Sequence, residues 1–280
     1  MVSFFRKIPR TIIVLIVLVA FGLVRTPFEN RLGEQLIEAK LVVPPPGMTV
    51  LDQMGQSALM ATLGGLRPLV AGFLSLQGYE NFSEKNWDEL RQTYLIITAL
   101  EPLEESHWVN AIWHLGINAT ANMELDTKLP GFERKRRFHN YAQQAIEFAE
   151  KGLEQVPDSV PIRKQLAEVY REKLKDWENA ARVYREMMEF DDAPQYAERF
   201  HGYFLAKVPG KEQEAYNYLK GLYDEGEHQH LPTLIFEIRR LEEELKIPYP
   251  GRIPDDGPDA NFSRPQKPSP PVLPGGIVIP

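Results

Sequence analysis

The sequence predicts an all-α protein, with an N-terminal single transmembrane helix followed by an α-solenoid of about four helix pairs and a closing helix. Three observations carry that prediction. Alanine recurs every 35 residues, at Ala145, Ala180 and Ala215. Each is followed within a turn by Phe148, Tyr184 or Leu219, and about two turns on by Leu153, Met187 or Leu222. A period of this size marks stacked helix pairs, in which each repeat leaves a face that only its neighbour buries. The third observation is an apolar run at the N-terminus, set between basic residues.

That run, Thr11 to Val24, follows Arg6, Lys7 and Arg10 and is closed by Arg25. Fourteen helical residues reach about 21 Å, short of a hydrocarbon core of about 30 Å. Snorkelling Arg10 and Arg25 extend the reach. A retained anchor is the preferred reading, and a signal peptide cleaved near Ala20-Phe21-Gly22 is the alternative. Either way the basic end stays cytoplasmic and the helical domain is exported to an extracytoplasmic space such as the periplasm.

A second apolar stretch, Ser57 to Leu76, is long enough to span a membrane. Arg67 sits near its centre, where a charge costs about 2.5–3.5 kcal/mol on insertion scales. Gly64, Gly65 and Pro68 weaken it further as a lipid-facing helix. The expectation is therefore a buried helix that opens the stack.

The chain divides into residues 1–24 (basic end and anchor), 25–52 (a spacer ending in three consecutive prolines), 53–246 (helical repeats) and 247–280. The last piece holds ten prolines and is expected to be disordered. Within 53–246, Asn86 and Glu89 make a candidate capping box for a helix carrying Leu90, Tyr94, Ile97 and Leu100. A further helix holds Trp108, Ile112, Trp113 and Leu115. An irregular insertion is expected near residues 118–137, before a helix with Tyr141, Ala145, Phe148 and Leu153. The next pair runs Ile162 to Lys173 and Trp177 to Phe190, with Asp176 as cap. The last runs Tyr196 to Lys207 and Glu212 to Tyr223. A closing helix, Leu231 to Leu245, shows a charged outer face with Arg239, Arg240 and Glu242 to Glu244.

These positions resemble the tetratricopeptide-repeat superfamily. Leu166, Ala167 and Tyr170, then Ala180, Tyr184 and Met187, are similar to its small and aromatic positions. So are Gly202 and Leu205, then Ala215, Leu219 and Leu222, and more loosely Gly78, Leu90, Tyr94, Ile97 and Pro102. The chain departs from the pattern in one extra residue between Tyr170 and Ala180, in the insertion, and in its degenerate first repeat. The segment Leu63 to Arg67 also resembles that of bacterial membrane-anchored repeat proteins of unassigned role. The resemblance implies a concave surface, lined by the first helix of each pair, that grips a protein or peptide. Here it would present Lys164, Glu168 and Arg171 beside Tyr196, Arg199, Tyr203 and Lys207. The strip is basic and aromatic and suits an acidic ligand. Members that grip a C-terminal carboxylate use asparagines that Glu168 and Tyr203 do not match.

Composition limits the other classes. The net charge is −7, and the four bases and no acids of residues 1–25 leave −11 on the rest. So acidic a body is a poor nucleic-acid binder. With no cysteine there is no disulfide framework, thiolate metal site or catalytic thiol. No phosphate loop, zinc-protease pair or Ser/His/Asp constellation is present, so no catalytic residue, cofactor or metal is assigned. His228 and His230, with acids nearby, read as a polar loop ahead of a metal site. Arg134, Lys135, Arg136 and Arg137 form the basic cluster of the exported part. A solvated helix start is the plain reading, and anionic headgroups or an acidic partner are the functional ones. The sequence thus points to a membrane-tethered interaction scaffold, with a structural subunit of a larger envelope complex as alternative.

Overall fold

A computed structural model describes residues 65–254, together with Phe21, Phe28 and residues 31–32 and 34–39. The anchor run apart from Phe21, most of the spacer, residues 57–64 and residues 255–280 lie outside the described residues. Every regular element described is helical, so the protein is all-α. Among the described residues no helix is long and apolar enough to cross a membrane.

The chain forms two compact units, residues 1–104 and 105–280. In the first, α1 (Arg67–Ser83) packs on α2 (Trp87–Leu100). Gly78 is buried facing Leu90, Thr93 and Tyr94, and a Cβ there would meet them at ordinary contact distance, so the approach of the two helices leaves room for alanine. Two expectations are corrected here. Asn86 does not cap α2: its amide donates to the Glu84 carboxylate at 2.8 Å. Lys85 ends α1 in the left-handed region, with Asn86 N–H returning to Asn81 O at 2.8 Å. That closure fixes how the chain enters α2. Nor is α1 simply a buried helix. Val70, Ala71 and Gly78 are buried, while Leu69, Phe73, Leu76 and Tyr79 lie exposed on the opposite side. It is apolar nearly all round and buries one side.

The second unit begins with a continuous helical rod. It comprises α3 (Glu105–Trp113), a π-helical stretch (His114–Ala119) and α4 (Thr120–Leu125). Then come α5 (Gly131–Gln155), α6 (Val160–Glu168) with a second π-helical stretch (Val169–Leu174), α7 (Trp177–Met187), α8 (Tyr196–Leu205), α9 (Glu212–Asp224) and α10 (Pro232–Glu244). The rod packs on α5, and α6 packs on both α3 and α5. From α6 to α10 each helix packs on the next. Ala145, Ala180 and Ala215 are fully buried, as are Tyr184, Met187 and Leu219. The alanine is thus fully buried at all three positions of the period.

The expected insertion near 118–137 is mostly helical. Only residues 126–130 leave the helix, where Lys128 N–H donates to Asp126 Oδ1 at 2.8 Å and Pro130 precedes α5. The sequence patterning obscured this because the π-helical stretch shifts the apolar period by one residue. The second π-helical stretch lies in the interval that holds the extra residue before Ala180. A π turn absorbs one residue without breaking the helix, and Lys175, left-handed at φ 54°, ends it. Asp176 then caps α7, accepting from Asn179 N–H at 3.1 Å. Ser159 caps α6, accepting from Ile162 N–H at 3.0 Å, a cap the sequence reading missed.

The proline-rich C-terminal piece is ordered over its first residues. Ile253 is buried and its N–H donates to Glu242 Oε1 at 2.7 Å, while Tyr216 Oη donates to Gly251 O at 3.0 Å. Glu242, expected on the charged outer face of the closing helix, is instead 2% exposed. Its carboxylate is the acceptor that fixes the returning strap.

A half-buried imidazole adds a pH dependence. His114, on the first π-helical stretch, has its pKa lowered from 6.5 to about 4 by burial. Between those values the unfolded chain takes up a proton that the folded one refuses. Stability from this group is therefore complete above pH 6.5 and falls as pH drops towards 4. Burial also lowers the pKa of His201, whose ring nitrogen lies 2.9 Å from Ala181 O. His114→Gln is expected to flatten the acid limb of a pH series of denaturant midpoints. An unchanged limb would remove His114 from the acid response.

Candidate interaction surface

The site is assembled by α6, its π-helical extension, α7 and α8. Tyr184 of α7 is its buried hub. Its ring meets Tyr196, Phe200 and Phe204 at centroid distances of 6.4, 5.3 and 5.6 Å, and its hydroxyl lies 3.5 Å from Glu168 Oε1. Phe204 stacks on Trp177 at 5.9 Å with planes 6° apart. Such pairs contribute about 0.5–1.5 kcal/mol each beyond the area they bury.

Cations edge this aromatic cluster. The Arg171 guanidinium lies 5.5 Å from the Phe200 ring and donates to Glu168 at 2.7 and 2.9 Å. Lys207 places its ammonium 4.5 Å from the Trp177 ring and 5.2 Å from Phe204, and Lys175 lies 5.8 Å from Trp177. Burial lowers the Lys207 pKa; Glu237 counters this, and the positive charges of Arg240, Lys175 and Arg171 lower it further. Arg171 and Lys175 also pair with Glu172 at 3.3 and 3.7 Å, so Lys207, which is in no ion pair among the described residues, is the charge on this edge most open to an incoming anion.

The expected strip is only partly brought together. Arg171, Glu168, Tyr196 and Lys207 join the cluster. Lys164 is exposed on α6. Arg199 is turned to a different network, donating to Gln229 Oε1 at 3.1 Å, while buried Gln229 donates to Glu198 and Glu225 at 3.0 and 3.2 Å. Tyr203 is corrected from a surface position to the interior: it is 8% exposed, and burial pushes its hydroxyl up to about 12. The helix turn that points Phe200 and Phe204 at Tyr184 also carries Tyr203 inward. Sequence reading missed Trp177, Phe200 and Phe204, which form the floor under the cations. The i, i+4 spacing of Phe200 and Phe204 in α8 was the available signal.

The basic cluster starts α5, where Glu133 accepts from Arg136 at 2.8 and 2.9 Å and from Arg137 at 2.8 Å. Those hydrogen bonds hold the Glu133 carboxyl at about 2. His230 stacks on Tyr223 at 3.9 Å, and its Nε2 lies 3.0 Å from Tyr223 O. Among the described residues no group of three or more histidines and acids is arranged to hold a metal.

These features define a class of protein: an all-helical chain whose most organised surface is a cation-edged aromatic cluster. In comparisons with known proteins, no family model, curated protein or solved structure matches the chain.

Proposed function

We propose that the protein is a membrane-tethered scaffold that holds an acidic protein segment against the cluster of Arg171, Lys175, Trp177, Phe204 and Lys207. In this reading the helix pairs form a solenoid like that of tetratricopeptide repeats, residues 11–24 tether it, and the helical domain works outside the cytoplasm. The observation that carries it is the convergence of cations on an aromatic floor, in a body whose net charge is strongly negative. An acidic segment with an aromatic or aliphatic anchor satisfies both halves of that surface. The second reading is a permanently packed subunit of an envelope complex. The exposed Leu69, Phe73, Leu76 and Tyr79 of α1 favour it, because a monomer rarely leaves such a row uncovered.

The test is photo-crosslinking in cells from a reactive residue placed at Lys164. Reversing Lys175 and Lys207 to glutamate is expected to reduce capture of the crosslinked partner about tenfold, or about 1.4 kcal/mol. Capture that persists undiminished in the double variant removes this surface from the function.

A further inference from the structure

We propose that the corner between α4 and α5 docks onto anionic lipid headgroups. Two large apolar side chains stand out from the ends of that corner: Leu125 is 80% exposed and Phe132 76%. Their sequence neighbours Met123, Glu124, Gly131, Arg134, Lys135 and Phe138 line a cleft of about 340 Å³. Residues 125–137 hold five bases against two acids, a local positive balance in an acidic chain.

The charges sort into used and unused. Glu133 is taken by Arg136 and Arg137, and Glu124 accepts from Lys173 at 2.9 Å. Among the described residues Arg134 and Lys135 are in no ion pair. Two cations without acids, beside a cleft with an open rim, present donors for phosphate oxygens.

The occupant follows from the shape. A peptide-binding surface receives the partner's apolar anchors in a pocket, whereas here the anchors belong to the protein and project from it. Projecting Leu and Phe beside Lys and Arg are what an interfacial contact uses: the apolar groups enter the headgroup and acyl boundary while the cations meet phosphates. Each Lys or Arg near an anionic leaflet contributes about 1 kcal/mol. The surface holds whether or not residues 11–24 anchor the chain, since it lies in the second compact unit.

The chain has no cysteine, so a single one can report on the corner. Thr127→Cys, exposed between the two apolar anchors, carries an environment-sensitive fluorophore without removing any residue the proposal uses. The full chain is placed in nanodiscs of phosphatidylcholine alone, or of phosphatidylcholine mixed with phosphatidylglycerol, with quenchers on the lipid tails. The expected result is a blue shift and tail quenching in the mixed discs only. Arg134→Gln with Lys135→Gln should lower the docking equilibrium about thirtyfold, which two charges at about 1 kcal/mol each give. Circular dichroism checks that this variant stays helical, and Arg134→Lys should dock normally. Equal response in both discs, no response in either, or a shift produced by inorganic phosphate, an acidic peptide or raised protein concentration without lipid would each overturn the proposal.

Discussion

Tyr184→Ala is expected to cost about 3–5 kcal/mol of folding stability, the range for removing a fully buried large aromatic side chain. The ring is completely buried and touches three other rings, so its loss opens a cavity that α7 and α8 cannot both close. For a unit of this size about 1 kcal/mol moves the melting temperature by about 2–4 °C, so the midpoint should fall by about 6–20 °C. Tyr184→Phe separates packing from the hydroxyl. It keeps the ring and loses only the 3.5 Å contact to Glu168, and should cost no more than about 1 kcal/mol. Thermal and denaturant melts of the pair check this. Near-equal losses in the two variants would mean that the hydroxyl, and not the aromatic packing, holds α7 to α8. The two variants also part at the surface: Phe200 and Phe204, which carry Arg171 and Lys207, keep their support in Tyr184→Phe and lose it in Tyr184→Ala.

Much of this was legible in the sequence, and the reason is local. Tyr184 follows Ala180 by one helical turn, and the pairing of a small with a large residue on one face is a packing statement that needs no tertiary knowledge. Asp176 was legible as a cap for the same reason, since a cap is made within three residues. Glu242 was not. In sequence it belongs to a run of glutamates, and only the return of Ile253, eleven residues on, gives its carboxylate a buried donor. Tyr203 failed in the opposite direction. Its neighbours Phe200, Phe204 and Leu205 are apolar and pointed inward; the surface position came from the groove that the family resemblance implied. The cation edge was half legible. Arg171 and Lys207 stand out by charge, but the floor beneath them is built by Trp177, Phe200 and Phe204 from two helices. The π-helical stretches were visible only as trouble, as an extra residue at one and an apparent insertion at the other.

The first of those stretches carries the other large effect. Gly116→Ala is expected to destabilise the protein by about 1–3 kcal/mol, the cost of overpacking a closed interface. In an open helix the same change would be worth about 1 kcal/mol in the opposite direction. The sign reverses because a Cβ at residue 116 would overlap the Val169 side chain and stand 2.9 Å from the Cβ of Ala145. The two neighbours differ in what they can do. Val169 can turn or be shortened, so adding Val169→Ala should recover part of the loss. The Ala145 Cβ is fixed to the backbone of α5 and can retreat only if the helix moves. Recovery should therefore stay incomplete, with about 1 kcal/mol or more remaining. Denaturant midpoints of the two single variants and the double measure the coupling directly. Complete recovery would show that the contact with Ala145 costs nothing. The alanine period would then mark small residues that tolerate more neighbouring volume than the 2.9 Å approach leaves. Incomplete recovery gives the first alanine of the period its physical meaning: at Ala145 the neighbouring stretch around Gly116 leaves no room for a further Cβ.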